Sequence, residues 1–328
     1  MRILITGGAG FIGSHLAERL LDDGHGVLVL DDLSTGRFEN VAHLERHPAF
    51  ELRVASVTDP EVVERCVTEC RRVYHLASAV GVKLVVDQPV KTIETIVNGT
   101  DTVLRSCARY RRPILITSTS EVYGKGAKVP FSEGDDCVMG PTTTRRWAYA
   151  CAKALDEFLA LAHWHETRLP VAIARLFNTV GPRQTGRYGM VIPRFVAQGL
   201  AGEPITVYGD GSQSRCFAHV ADVVDALVQI LDEPKAFGQV FNVGNAEEIT
   251  ILQLAERVRS LTGGKSPIRI VPYREAYPAG FEDMARRVPD LSKIHRLIGY
   301  EPKRRLEQIL ADVLEDQRGN LTSPPARP

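Results

Sequence analysis

Glycines at positions 7, 10 and 13 stand between a short apolar run, residues 3–6, and a helical pattern that opens at Phe11. Glycine permits a tight turn and a close backbone approach to a diphosphate, whose charge then rests on the exposed N–H groups at the helix start. Asp31 closes the second apolar run, about 20 residues on, where a carboxylate can accept hydrogen bonds from an adenosine ribose. Strand, glycines, helix, second strand and terminal acid in this order predict a dinucleotide site, and the acid favours NAD over NADP. The same pattern continues. Strands are expected at residues 27–30, 52–55, 73–76, 114–117 and 171–175, each nearly all apolar as a strand buried on both faces should be. Helices are expected at 11–22, 60–69, 89–109 and 145–165. The fold class is therefore α/β, a Rossmann-like doubly wound parallel sheet over residues 1–177.

Beyond Phe177 the pattern loosens, because Pro182, Pro193, Pro204 and the Gly209-Asp210-Gly211 turn cut the chain into short pieces. Helices resume at 191–200, 220–231 and 251–261, with a strand at 240–243. Residues 178–318 are expected to form mainly a smaller α/β substrate lobe, with a segment at about 205–240 returning to the first domain. The proline-rich end, 319–328, reads as a disordered tail.

The 328 residues carry 40 basic and 40 acidic side chains, a balance that argues against nucleic acid or a membrane surface as partner. No apolar stretch approaches the roughly 18 residues of a membrane span, and the start of the chain lacks signal-peptide features. Six scattered cysteines fit a reducing cytoplasm better than a disulfide scaffold. Cys66 and Cys70 are at helical spacing and read as buried side chains. His163 and His165 diverge on a helix, so no metal site is expected.

Tyr149 and Lys153 lie four residues apart in a helical stretch, on one face and one turn apart. A tyrosine, with a reference pKa of about 10, becomes a useful base at neutral pH only beside a cation that stabilises the phenolate. Lys153 is placed to do so. Thr117-Ser118-Thr119-Ser120-Glu121-Val122-Tyr123-Gly124 sets hydroxyls at the carboxyl end of the fifth strand, where open α/β sheets place ligands.

Together, the glycine motif, the hydroxyl cluster and the Tyr-Lys pair resemble the extended short-chain dehydrogenase/reductase family, in particular its nucleotide-sugar epimerases, dehydratases and decarboxylases. The resemblance runs over roughly residues 1–315. It implies an NAD cofactor, a UDP-sugar substrate and a transient 4-keto sugar. Thr119 becomes the partner of the sugar 4-OH, Tyr149 the base and Lys153 its helper, with Ser120 and Glu121 beside them. Gly7, Gly10, Phe11, Ile12, Gly13 and Asp31 are expected to hold the cofactor. So are Ser56, Val57, Leu76 and Ala77, together with Asn98, Tyr149, Lys153 and Phe177. Ser56 stands where relatives usually place an aspartate against adenine. On the substrate side the resemblance points to Asn178, Thr179, Val191, Arg194 and Tyr208, with Arg215 on the diphosphate and Asp283 on the nucleotide ribose. Relatives pair helices like those at 89–109 and 145–165 into a dimer interface, so a homodimer is expected.

Three outcomes share the 4-keto intermediate. Dehydratases typically read Thr-Asp-Glu before Val-Tyr-Gly, and here Ser120 replaces the aspartate. Decarboxylases resemble this chain in Thr-Ser-Glu-Val-Tyr-Gly and in Arg286-Arg287-Val288-Pro289-Asp290, but usually carry a proline pair and a tyrosine where this chain has Ala79-Val80-Gly81-Val82-Lys83. A UDP-sugar 4-epimerase is the main expectation. Arg183, with Arg187 and Thr179 nearby, could meet a C6 carboxylate, which favours UDP-glucuronate 4-epimerase. The alternatives are UDP-glucose 4-epimerase and UDP-glucuronate decarboxylase, ahead of a 4,6-dehydratase or a non-catalytic NAD sensor.

Overall fold

Runs rich in valine, isoleucine and leucine become strands here because both of their faces can be covered. The computed structural model describes residues 1–78, 88–186, 190–276, 284 and 286–322. β1 (Arg2–Thr6), β2 (Gly26–Asp31), β3 (Phe50–Val54), β4 (Arg72–His75), β5 (Ile114–Thr119) and β6 (Val171–Leu176) lie parallel in one sheet. The strand Gln239–Val243, here β11, completes the order β11-β6-β5-β4-β1-β2-β3. The order reverses between β1 and β4, so the crevice at their carboxyl ends is the switch point where such sheets bind ligands.

Alternation along β1 divides the core. Ile3 and Ile5 face α1 (Phe11–Asp22) and α6 (Val220–Asp232), joining Leu16, Leu20, Val223 and Leu227. Leu4 faces the opposite layer of α2 (Pro60–Glu69), α3 (Pro89–Tyr110) and α4 (Trp147–Thr167), joining Val63, Val103, Leu104 and Ala160. Side chains that are fully buried on both faces contribute about 1.5–3 kcal/mol each, so this sandwich carries most of the stability. Asp59 starts α2 by accepting from the N–H groups of Glu61 and Val62.

The lobe has its own core, where Ile192 and Phe195 of α5 (Val191–Ala201) meet Leu254 and Val258 of α7 (Ile251–Leu261) and Ile309, Leu310 and Val313 of α9 (Leu306–Thr322). α8 is the short helix Ser292–Ile298. Three two-stranded sheets complete the lobe: β7 (Thr179–Val180) with β10 (Ala218–His219), β9 (Ser214–Cys216) with β12 (Glu248–Thr250), and β8 (Ile205–Tyr208) with β13 (Ile268–Val271).

Two sequence expectations shift. The chain returns to the main sheet through α6 and β11, not from residue 205, because β8 pairs with β13 instead. Residues 319–322, expected in the tail, continue α9. No helix among the described residues is long and apolar enough to cross a membrane.

Candidate active site

A cavity of about 800 Å³ runs from the glycine turn to the lobe. At its first end Gly7 takes φ +70°, and a Cβ there would lie 2.7 Å from the Ala77 nitrogen. A Cβ on Gly13 would lie 2.3 Å from the Gly7 carbonyl oxygen. No side chain caps α1, whose N-cap is Gly10, so its first N–H groups remain available to a ligand. Asp31 accepts from the N–H of Ala9 at 2.9 Å and of Leu33 at 2.8 Å, tying the turn to the end of β2. Burial pushes the Asp31 carboxyl up, against the pull of these two N–H groups. An uncapped helix start behind a cradle that any Cβ would fill fits a dinucleotide diphosphate. Gly13→Ala is expected to destabilise the protein by about 1–3 kcal/mol through forced backbone shifts and to weaken NAD binding, read by thermal melts with and without NAD.

Phe11, Ile12, Val57, Leu76 and Ala77 line this part of the cavity, and three expected cofactor residues do not. The Ser56 hydroxyl is taken by Thr58, at 2.8 Å from its Oγ1. Asn98 is exposed, because the buried face of α3 runs through Thr92, Ile96, Gly99 and Thr100, opposite it on the helix. Phe177 is fully buried in a separate cluster with Val122, Tyr123, Phe131 and Met284, leaving Leu176 and Asn178 on the cavity wall.

The middle of the cavity holds the chemistry. Thr119 ends β5 and accepts from the Glu121 N–H at 3.2 Å, starting the short helical turn Ser120–Tyr123. α4 brings Tyr149 against Thr119, and their side chains hydrogen-bond. Burial pushes the Tyr149 phenol up, and the charges of Glu121 and Asp156 push the same way, while the Thr119 hydrogen bond and Arg287 oppose them. Lys153, expected on Tyr149, instead donates to Asp156 Oδ2 at 2.7 Å, with both side chains buried. Two guanidiniums reach Glu121: Arg287 at 3.4 Å and Arg146 at 3.6 Å.

Behind this surface the floor is fixed by buried pairs. Arg175 grips Glu157 through two donors at 2.7 and 2.9 Å, and Glu157 also accepts from Ser118 at 2.5 Å. Arg175 stacks 4.8 Å over the Tyr123 ring, whose hydroxyl donates to Asn242 at 2.7 Å. His75 links the Thr6 hydroxyl (2.7 Å) to the Thr100 hydroxyl (3.1 Å), and burial followed by the Lys153 charge lowers its pKa to about 3, so it is neutral at working pH.

At the lobe end, Asn178 adopts φ +24° and donates to the Cys216 carbonyl at 2.9 Å. Thr179 and Val191 line the wall, and Arg194 stacks 4.1 Å over the Tyr208 ring. Arg215 donates to the Ser214 carbonyl at 2.7 Å. Arg183, expected to meet the sugar carboxylate, lines the cavity. Its guanidinium turns to α1, binding Glu18 at 2.6 Å and His15 at 2.8 Å, and to the Asn40 carbonyl at 3.1 Å. Arg187 and Asp283 lie outside the described residues.

Sequence reasoning missed Arg146, Gln213, Tyr273 and Arg287, all on the cavity wall. A signal for Arg287 was present in the Arg286-to-Asp290 string, which was read for reaction type only. Its segment is clamped by backbone bonds in which the Phe131 N–H donates to Val288 and the Asp290 N–H donates to Phe131, both at 2.8 Å.

Comparison with known proteins adds independent findings. Residues 4–313 match the family model described as GDP-mannose 4,6 dehydratase. A Bacillus cytotoxicus protein named UDP-N-acetyl-alpha-D-glucosaminuronate decarboxylase is 40% identical over 315 residues, 96% of this chain and 97% of that one. Arabidopsis thaliana UDP-glucuronic acid decarboxylase 4 is 39% identical over 318 residues, 97% of this chain and 69% of that one. The crystal structure of UDP-glucuronic acid 4-epimerase from Bacillus cereus, in complex with UDP-glucuronic acid and NAD, superposes with a TM-score of 0.87 at 26% identity, covering 98% and 100% of the two chains.

Proposed function

The chain belongs to the GDP-mannose 4,6-dehydratase family of extended short-chain dehydrogenase/reductases, and from that premise we propose that it is an NAD-dependent decarboxylase of a UDP-linked uronic acid. The epimerase expectation gives way to its alternative. The two curated relatives at 40% and 39% identity are named decarboxylases, whereas the 4-epimerase resembles this chain at 26%. The observation that carries the reading within this chain is the pair of guanidiniums, Arg146 and Arg287, brought to Glu121 beside Tyr149 and Thr119. A carboxylate on the sugar calls for cations at that place.

NAD, when bound, takes the hydride from C4 of the sugar and returns it at the end. Tyr149 accepts the 4-OH proton, with Thr119 fixing the oxygen. The resulting 4-ketone makes the C6 carboxylate a β-keto acid. The C5–C6 bond breaks, carbon dioxide leaves, and the electron pair passes to the C4 oxygen, where the hydroxyls of Thr119 and Tyr149 meet it. One proton must then reach C5, and Glu121 is the carboxyl group placed to relay it from solvent. Arg287 cannot give up a proton, so its part is to orient and balance charge. When the hydride is returned, Tyr149 gives its proton back to the C4 oxygen. The net change is one proton consumed and one carbon dioxide released for each UDP-uronate converted, with no net oxidation.

The test is turnover of three sugar nucleotides by the purified protein. UDP-glucuronate and UDP-N-acetylglucosaminuronate are the candidates, and at least one is expected to release carbon dioxide. UDP-glucose is expected to be inert, and its conversion to UDP-galactose would overturn the reading. Assembly is a separate proposal. Val90 and Ile93 on α3 and Leu155 and Phe158 on the adjacent α4 are exposed, Phe158 by 71%, and a second copy of the same helix pair would cover them symmetrically. Light scattering is expected to give a dimer mass for the native chain and a monomer mass for Phe158→Glu.

A further inference from the structure

We propose that Asp156 is a positioning residue for the reaction: its carboxylate, almost one helical turn beyond Lys153, fixes where that ammonium sits and how much of its charge reaches the Tyr149 hydroxyl. The contact is direct, Lys153 Nζ to Asp156 Oδ2 at 2.7 Å, and the two side chains are 3% and 0% exposed. A buried ammonium needs a buried counter-charge, and an ion pair formed in such a place is firmly held. The pair is also braced. Burial pushes the Asp156 carboxyl up, while Lys153 and then the Thr100 hydroxyl of α3 favour its charged form, and that hydroxyl is itself held by His75, which reaches Thr6, the residue before the glycine turn. Carboxylate, threonine, histidine and threonine thus connect the lysine on α4 to the end of β1 that carries Gly7.

The sign of the effect follows from charge. A carboxylate next to Lys153 cancels part of the attraction that the ammonium would exert on a phenolate, and it repels the phenolate directly. Asp156 therefore holds the Tyr149 proton more tightly, in the direction already noted for that phenol. The other titratable groups around the pair and Tyr149 are Glu157 on α4, His75 on β4, which stays neutral, Glu121 in the helical turn after β5, Arg146, which pairs with Glu121, and Arg287 from the segment paired to Phe131. Glu157 is already matched by Arg175, and Glu121 and Arg287 remain in place when Asp156 is changed.

The experiment is Asp156→Asn, which keeps the shape and removes the charge. Phenolate absorbance is followed as the sugar-free protein is titrated, with Tyr149→Phe subtracted to isolate one phenol. The Tyr149 titration is expected to move down by about one pH unit, and the acid limb of the kcat/KM profile to move down with it. Asp156→Glu, which restores the charge, is expected to return both to the native position. If Asp156→Asn fails to fold, Asp156→Ser replaces it, also without the charge, with the same direction of shift. An unmoved Tyr149 titration, or one that moves up, in the variant that folds overturns the proposal, as does a profile merely scaled down with melting temperature. The kinetic arm rests on the decarboxylase reading and the absorbance arm does not, so failure of one is distinguishable from failure of the other.

Discussion

Tyr149→Phe is expected to lower turnover by about 10³-fold or more, the scale of a lost acid–base group, while NAD and the UDP-sugar still bind. The ring lies among Thr119, Glu121 and Arg287, and phenylalanine preserves that packing while deleting the one oxygen able to take the 4-OH proton. Burial and the Glu121 charge keep the phenol protonated in the cofactor-free chain, so in the native enzyme the rate is expected to climb on raising the pH through the acid limb. Tyr149→Phe is expected to lose that limb altogether. Calorimetry separates the two effects: unchanged NAD affinity with lost turnover supports the assignment, and native turnover refutes it.

The second large effect is expected at Arg287. Arg287→Met removes the guanidinium 3.4 Å from Glu121 and is expected to reduce kcat/KM for the uronate by about 10²–10³, the usual consequence of deleting one preorganised charge at a reacting centre. Formation of the 4-ketone draws on Arg287 only through its pull on the Tyr149 phenol, less directly than loss of the carboxylate does. A transient rise in reduced-nicotinamide absorbance should therefore persist in the variant while carbon dioxide release falls. Equal loss of both would show that Arg287 serves binding alone.

The parallel sheet could be read from the chain because a strand covered on both sides is a continuous apolar run, and because glycine at positions 7, 10 and 13 has few uses other than a close backbone approach. β5 runs on through Ser118 and Thr119, since pairing with β6 continues to Thr119 and Leu176 although the side chains turn polar. Pairing of Ile205–Tyr208 with Ile268–Val271 left no local trace, being set by contacts across sixty residues of chain. The site shows the same divide. Thr119 and Tyr149 sit on regular elements, and their meeting was expected from the family resemblance, which period alone does not give. Arg183 reaches the cavity wall as expected, but its pairing with Glu18 of the first helix left no local trace. Asn98 occupies its expected helix but faces solvent, and Phe177, just past β6, faces the core. Arg287 enters through an irregular segment fixed by Phe131, and no periodicity announces such a placement.

One measurement bears on the whole account: UDP-glucuronate or UDP-N-acetylglucosaminuronate, labelled with carbon-13 at C6, followed by NMR with the native enzyme and NAD. The label is expected to leave the nucleotide sugar as carbon dioxide and bicarbonate, one for each sugar converted, with total NAD unchanged. Label retained in a sugar inverted at C4 would contradict decarboxylation and restore the epimerase.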